Sequence, residues 1–124
     1  MTFIKMKDSP PVEKFGKFIV ENLRDKGIDF AEGLTKRRWK APSLLEMQSE
    51  IAGLAEPQRT AFIEAITRTV DSAMHDFLFA LQERKDIQIV VDGKNIVELS
   101  DGIHGEAYSD EGWFAKYSRH KTYD

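Results

Sequence analysis

A chain of 124 residues, 41% hydrophobic and 31% charged with a net charge of −3, is the size of one ordinary domain. There is no basic excess to offset a phosphate backbone, which argues against nucleic acid as a partner. The absence of cysteine excludes disulfides, thiol catalysis and thiolate metal sites, and fits a cytoplasmic protein. The opening MTFIKMKDSPP has lysines but no apolar run behind them, unlike a signal peptide, and the longest apolar run, Phe77–Leu81, is too short to span a membrane.

One domain over 1–124 is expected, with a helical part over about 9–86, a β part over about 87–118 and a frayed polar tail over 119–124. SPPVEKFGKFIVENLRDKG reads as the first helix: Ser9 can cap it, Val12, Phe15, Ile19 and Leu23 recur at helical spacing, and Gly27 supplies a stop. A connection over 28–42 follows, ending at Pro42. The second helix opens on Ser43 and Glu46, which have capping-box spacing, and Leu44, Leu45, Met47, Ile51 and Leu54 give it an apolar side. The third helix runs from Pro57 to about Lys85. Phe62, Ile63, Ile66, Val70, Ala73, Met74, Phe77, Leu78 and Leu81 fill a broad arc, and Phe79 lies outside it, so this helix is expected to be central and packed on two sides.

After Asp86 the period drops from 3.6 to 2. IQIVV and NIVEL flank Asp92-Gly93, a hairpin signal, and WFAKYS alternates as a third strand would. The expected fold class is α+β: about three helices, the third long and central, on a C-terminal antiparallel hairpin or three-stranded meander.

The chemistry concentrates in SDGIHGEAYSDEGW, residues 100–113. Read as a calcium loop from Asp101, it places Ile103 third, Gly105 fifth and Gly112 twelfth, where ligands or the closing glutamate belong, so it fails. Asp101-Gly102 and Asp110-Glu111-Gly112 are turn chemistry, which makes residues 103–108 a solvated connection between two turns. His104 is the reactive residue in it. With Asp76, Asp101 or Glu106 as carboxylate partner it would form the acid–base pair of a small hydrolytic or metal-assisted enzyme. His75 and Asp76 are helical neighbours that point about 100° apart, so neither is the other's natural partner. No metal site and no cofactor are expected: G-x-S-x-G, P-loop and G-x-G-x-x-G patterns are all missing from the sequence.

TKRRWK places Lys36, Arg37, Arg38 and Lys40 around Trp39, a candidate site for an acidic surface, against the simpler reading of a solvated loop whose tryptophan tucks onto the core. Tyr108, Trp113, Phe114 and Tyr117 are candidate interface anchors, since aromatics dominate binding energy at protein contacts.

SAMHDFLFALQE (72–83) together with DGIHGEAYSDEGWFAKYS (101–118) resembles a group of small bacterial proteins of unknown function, across about the last half of the chain. The resemblance implies a compact bacterial α+β domain and assigns no site. By analogy of class, small acidic bacterial domains of this size include immunity proteins that neutralise toxins. The expectation is a non-enzymatic protein-interaction module, binding a protein partner or a second copy of itself as a homodimer.

Overall fold

The structure, a computed structural model, describes residues 9–123; the MTFIKMKD segment and Asp124 lie outside the described residues. It is mostly helical, 67%, with one small antiparallel hairpin. Helix α1 spans Pro10–Ile19, its two prolines in the first turn, where a missing N–H costs nothing; Ser9 makes no side-chain cap. The helix does not stop at Gly27. It widens into a π turn over Val20–Arg24, where the Asp25 N–H reaches back to the Val20 carbonyl, and continues as α2, Asp25–Thr35. Gly27 lies inside the helix and faces Val70 of the antiparallel helix described below, where a Cβ would make an ordinary contact at 3.4 Å.

The connection therefore shrinks to residues 36–41. Ser43 and Glu46 form no capping box: Pro42–Leu44 is a 3₁₀ turn, and α3, Leu45–Ala52, begins without a side-chain cap. Helix α4 spans Glu56–Glu83, close to the expected limits, with Pro57 in its first turn. It runs antiparallel to α1–α2, because Arg24 pairs with Asp71 while Ile28 and Glu32 approach Ile63 and Thr67.

The last third departs most from the strand-like reading. The turn is as expected: Asp92 and Gly93 both have positive φ (52° and 77°), as a type I′ hairpin requires. Strands β1, Val90–Val91, and β2, Lys94–Asn95, pair in the register Val90–Asn95 and Val91–Lys94. Asn95 then accepts a bond from the Val97 N–H and starts α5, Ile96–Leu99, so NIVEL is helix except for its first residue. WFAKYS is no third strand but α6, Trp113–Tyr117. Trp113 and Phe114 are consecutive and both buried, which a strand with one solvated face cannot arrange.

The core gathers Val12 and Val20, Met74, Leu78 and Leu81, then Ile96, Ile103, Ala107, Trp113 and Phe114. Full burial of a side chain such as Leu78 stabilises by about 1.5–3 kcal/mol. Helix α4 meets other elements on two sides, α2 through Val70 and the 103–108 segment through His75 and Phe79, but its full burial is narrower than expected. Its buried residues are Thr67, Met74, Leu78 and Leu81, a stripe along one side only, and Phe77 remains 55% exposed.

Candidate functional site

The densest polar constellation is built around a buried cation. The π turn brings two consecutive residues, Arg24 and Asp25, fully inside. Every N–H of the Arg24 guanidinium has an acceptor. Nε and Nη2 hold Asp71 at 2.6 and 3.0 Å, Nη1 donates to Ser118 Oγ (2.7 Å) and the His120 carbonyl (3.2 Å), and Nη2 also donates to the Lys121 carbonyl (3.2 Å). The Phe114 ring lies 4.2 Å from its centre. Asp25 accepts from the Ser118 hydroxyl at 2.6 Å and from the Arg119 N–H at 3.1 Å. Asp29, one turn on, takes the Arg119 guanidinium at 2.5 Å and His120 Nε2 at 2.7 Å. The hydrogen bond from Arg119, helped by His120, holds the Asp29 carboxyl below the usual aspartate range.

These bonds correct the expectation of a frayed tail for residues 119–121; Asp124, its last residue, lies outside the described residues. Residues 118–121 are tied to the π turn and α2 through Arg24, Asp25 and Asp29, and through the Arg24–Asp71 pair to α4, because buried charges must find partners and the tail carbonyls supply some of them. No signal in the sequence marks Arg24, Asp71 and Ser118 as a unit.

His104 sits in a 3₁₀ turn, Ile103–Gly105, packed on α4. Ile103 and Ala107 are fully buried, so residues 103–108 are a wall of the core and not a solvated connection. His104 Nδ1 is 3.0 Å from Gln82 Oε1, and its ring meets His75 and Phe79 edge-on at 5.3 and 5.2 Å. None of the carboxylates predicted as its partners bonds it. Asp76 lies 3.2 Å from His75 Nδ1, in an exposed contact between neighbours that the helical angle argued against. Glu106 accepts from the Ser100 hydroxyl at 2.6 Å. Asp101 is exposed and lines a shallow acidic hollow with Glu106, Glu13 and Glu111.

The predicted aromatic anchors divide. Trp113 and Phe114 are buried. The indole of Trp113 lies against Gly16, and its Nε1 is the only buried side-chain polar atom without a partner among the described residues. Tyr117 is half-buried and donates to Glu13 at 2.6 Å; burial, with that bond, pushes its hydroxyl up to about 12. Tyr108 is 46% exposed, donates to the Asp71 carbonyl at 2.8 Å and is likewise raised to about 12, chiefly by desolvation. Trp39 stacks on Phe30 (5.6 Å between ring centroids) and donates to the Phe30 carbonyl.

A cleft of about 820 Å³ opens between α4 and the C-terminal segment, bordered by Arg68, Asp71, Tyr108, His120 and Tyr123. Beside it, Asp29, Glu32 and His120 bring three metal-type donor atoms within 4.8 Å of one another. Nothing at sequence level joins them beyond the Asp29–Glu32 spacing, because His120 arrives with the tail. Both Asp29 oxygens already carry a cation or an imidazole, so the trio acts as an ion-pair anchor for the tail. Among the described residues no helix is long and apolar enough to cross a membrane.

The class these features define is a mostly helical α+β domain whose strongest polar network is structural. No known protein family, curated protein or solved structure matches the chain.

Proposed function

We propose that this protein is a non-enzymatic interaction module that pairs with a second copy of itself through the open side of α4. One observation carries the reading. Phe62, Ile66, Thr69, Val70, Ala73, Phe77 and Ala80 fall within about 100° of the helix circumference and carry no charge; Thr69, Ala73, Phe77 and Ala80 are exposed, and Phe62, Ile66 and Val70 are half-buried. The stripe runs for roughly five turns and about 27 Å. Solvated helix faces ordinarily carry charged residues, as α4 does elsewhere at Glu64, Arg68 and Asp76. On the neighbouring helix Leu23 and Phe30 are exposed on the side of Gly27, which meets Val70, so the apolar area extends beyond α4.

The arrangement of sizes favours a second copy. Taken about Ala73, midway between Ile66 and Ala80, an antiparallel pair sets Ile66 opposite Ala80 and Phe77 opposite Thr69, large against small on both sides of a two-fold axis. An immunity-type protein would use the same face on a different protein. Sedimentation equilibrium decides between them: a dimer is expected at micromolar concentration, and Phe77→Asp is expected to weaken it by at least about tenfold while leaving helix content unchanged. A monomer at about 100 µM would overturn self-association.

A further inference from the structure

We infer that the loop over residues 36–40 is a second, electrostatic docking site, for an acidic segment of a partner protein. Its cations are presented, and its backbone is held still. Lys36, Arg37, Arg38 and Lys40 are all exposed, and no carboxylate pairs with any of them among the described residues. Trp39 between them is the anchor. Its ring stacks on Phe30 and rests on Gly33, where a Cβ would come within 2.4 Å of the indole. The Gln48 amide clasps its backbone from α3, accepting from the Trp39 N–H and donating to the Trp39 carbonyl, both at 2.9 Å. The Arg38 N–H closes back on the Gly33 carbonyl at 2.9 Å.

Arg37 supplies the independent observation. Its φ is +53°, in the left-handed position just past a helix end that glycine normally takes. A non-glycine residue there is disfavoured, so a cation stands where a smaller residue would give a more stable turn. The α2 dipole favours positive charge at this end, but that effect falls off beyond the last turn and does not account for Lys40 or for the choice at Arg37. The functional account is that the strained turn splays Arg37 away from its neighbours and keeps the cationic face preformed.

The occupant follows from charge and surroundings. The chain has 18 cations against 21 carboxylates; without these four cations the remainder carries −7. A long polyanion, such as duplex nucleic acid or an extended anionic membrane, would also meet the net negative remainder of the chain. A short acidic segment meets only the loop. Phe30, Leu45 and Met47 beside it are exposed, which fits a segment with apolar residues between its acids.

The test uses the full chain and a short fluorescein-labelled peptide alternating glutamate with leucine, read by anisotropy at several salt concentrations. Binding is expected to fall steeply with salt, to be absent for the lysine–leucine analogue, and to weaken by about tenfold or more in the K36Q/R38Q/K40Q variant. Arg37→Gly is expected to weaken binding by about threefold while raising the thermal midpoint by about 2–4 °C; a purely structural loop would not separate the two readouts. Equal binding by the triple variant would overturn the proposal. So would preferential binding to phosphatidylserine vesicles or single-stranded DNA, or an Arg37→Gly variant that loses stability.

Discussion

Arg24 and Asp71 meet in a two-pronged ion pair with the cation completely buried, and the same guanidinium holds the carbonyls of His120 and Lys121. One side chain thus locks α2, α4 and the C-terminal tail together. Arg24→Met keeps much of the stem but strands Asp71 and frees the tail acceptors. It is expected to cost about 3–5 kcal/mol in urea unfolding and to expose amides 118–121 to hydrogen exchange. In R24M/D71L no charge of that pair is left alone, so the double variant should be less destabilised than the sum of the single changes. Tail protection unchanged in Arg24→Met would refute the anchoring role.

Two glycines on the first long helix give opposite predictions. A Cβ on Gly16 would stand 2.4 Å from the buried indole of Trp113, whereas one on Gly27 meets Val70 at an ordinary 3.4 Å. Alanine in a helix interior gains about 0.5–1 kcal/mol over glycine. At Gly27 that gain stands, and Gly27→Ala is expected to stabilise. At Gly16 overpacking against a fully buried ring costs about 1–3 kcal/mol and wins. Gly16→Ala should destabilise, and Trp113→Phe in the same chain should recover part of the loss. Thermal unfolding of the three variants checks the order; a Gly16→Ala protein more stable than wild type would show that the indole can shift.

What could be read from the sequence and what could not separate by distance along the chain. Asp92-Gly93 announced the hairpin because the turn chemistry is contained in those two residues. The limits of α4 were equally legible from Pro57 and its long period. Gly27 misled because glycine is a common helix stop, whereas here the helix runs through it with the position facing Val70, far away in sequence. WFAKYS has the alternation of a strand, yet Trp113, Phe114 and Tyr117 also fit one side of a short helix, and the neighbouring core selects the helix. The Arg24 network was invisible: its partners lie 47 residues and more away, and a lone arginine on an amphipathic helix reads as surface. At the candidate sites the exposed basic loop was legible as a charge run. The open stripe on α4 was misread as core, because the same apolar residues serve an interior or an interface.

Tyr117 offers a test at alkaline pH. Its hydroxyl donates to Glu13, and burial with that bond raises it from the ordinary 10 to about 12. A raised value means that the folded state holds the proton more tightly than the unfolded chain. The associated stability is therefore fully present below pH 10 and is lost as pH rises from 10 through about 12. Tyr117→Phe removes both the bond and the titration. At pH 7 it is expected to be less stable than wild type by about 1 kcal/mol. Between pH 10 and 12 the wild type should lose this advantage, so the two urea midpoints converge. Tyr108, also raised to about 12, is present in both proteins and cancels in the comparison. A constant gap between the two midpoints across that window would mean that the Tyr117 hydroxyl does not need its proton to hold α6 against α1.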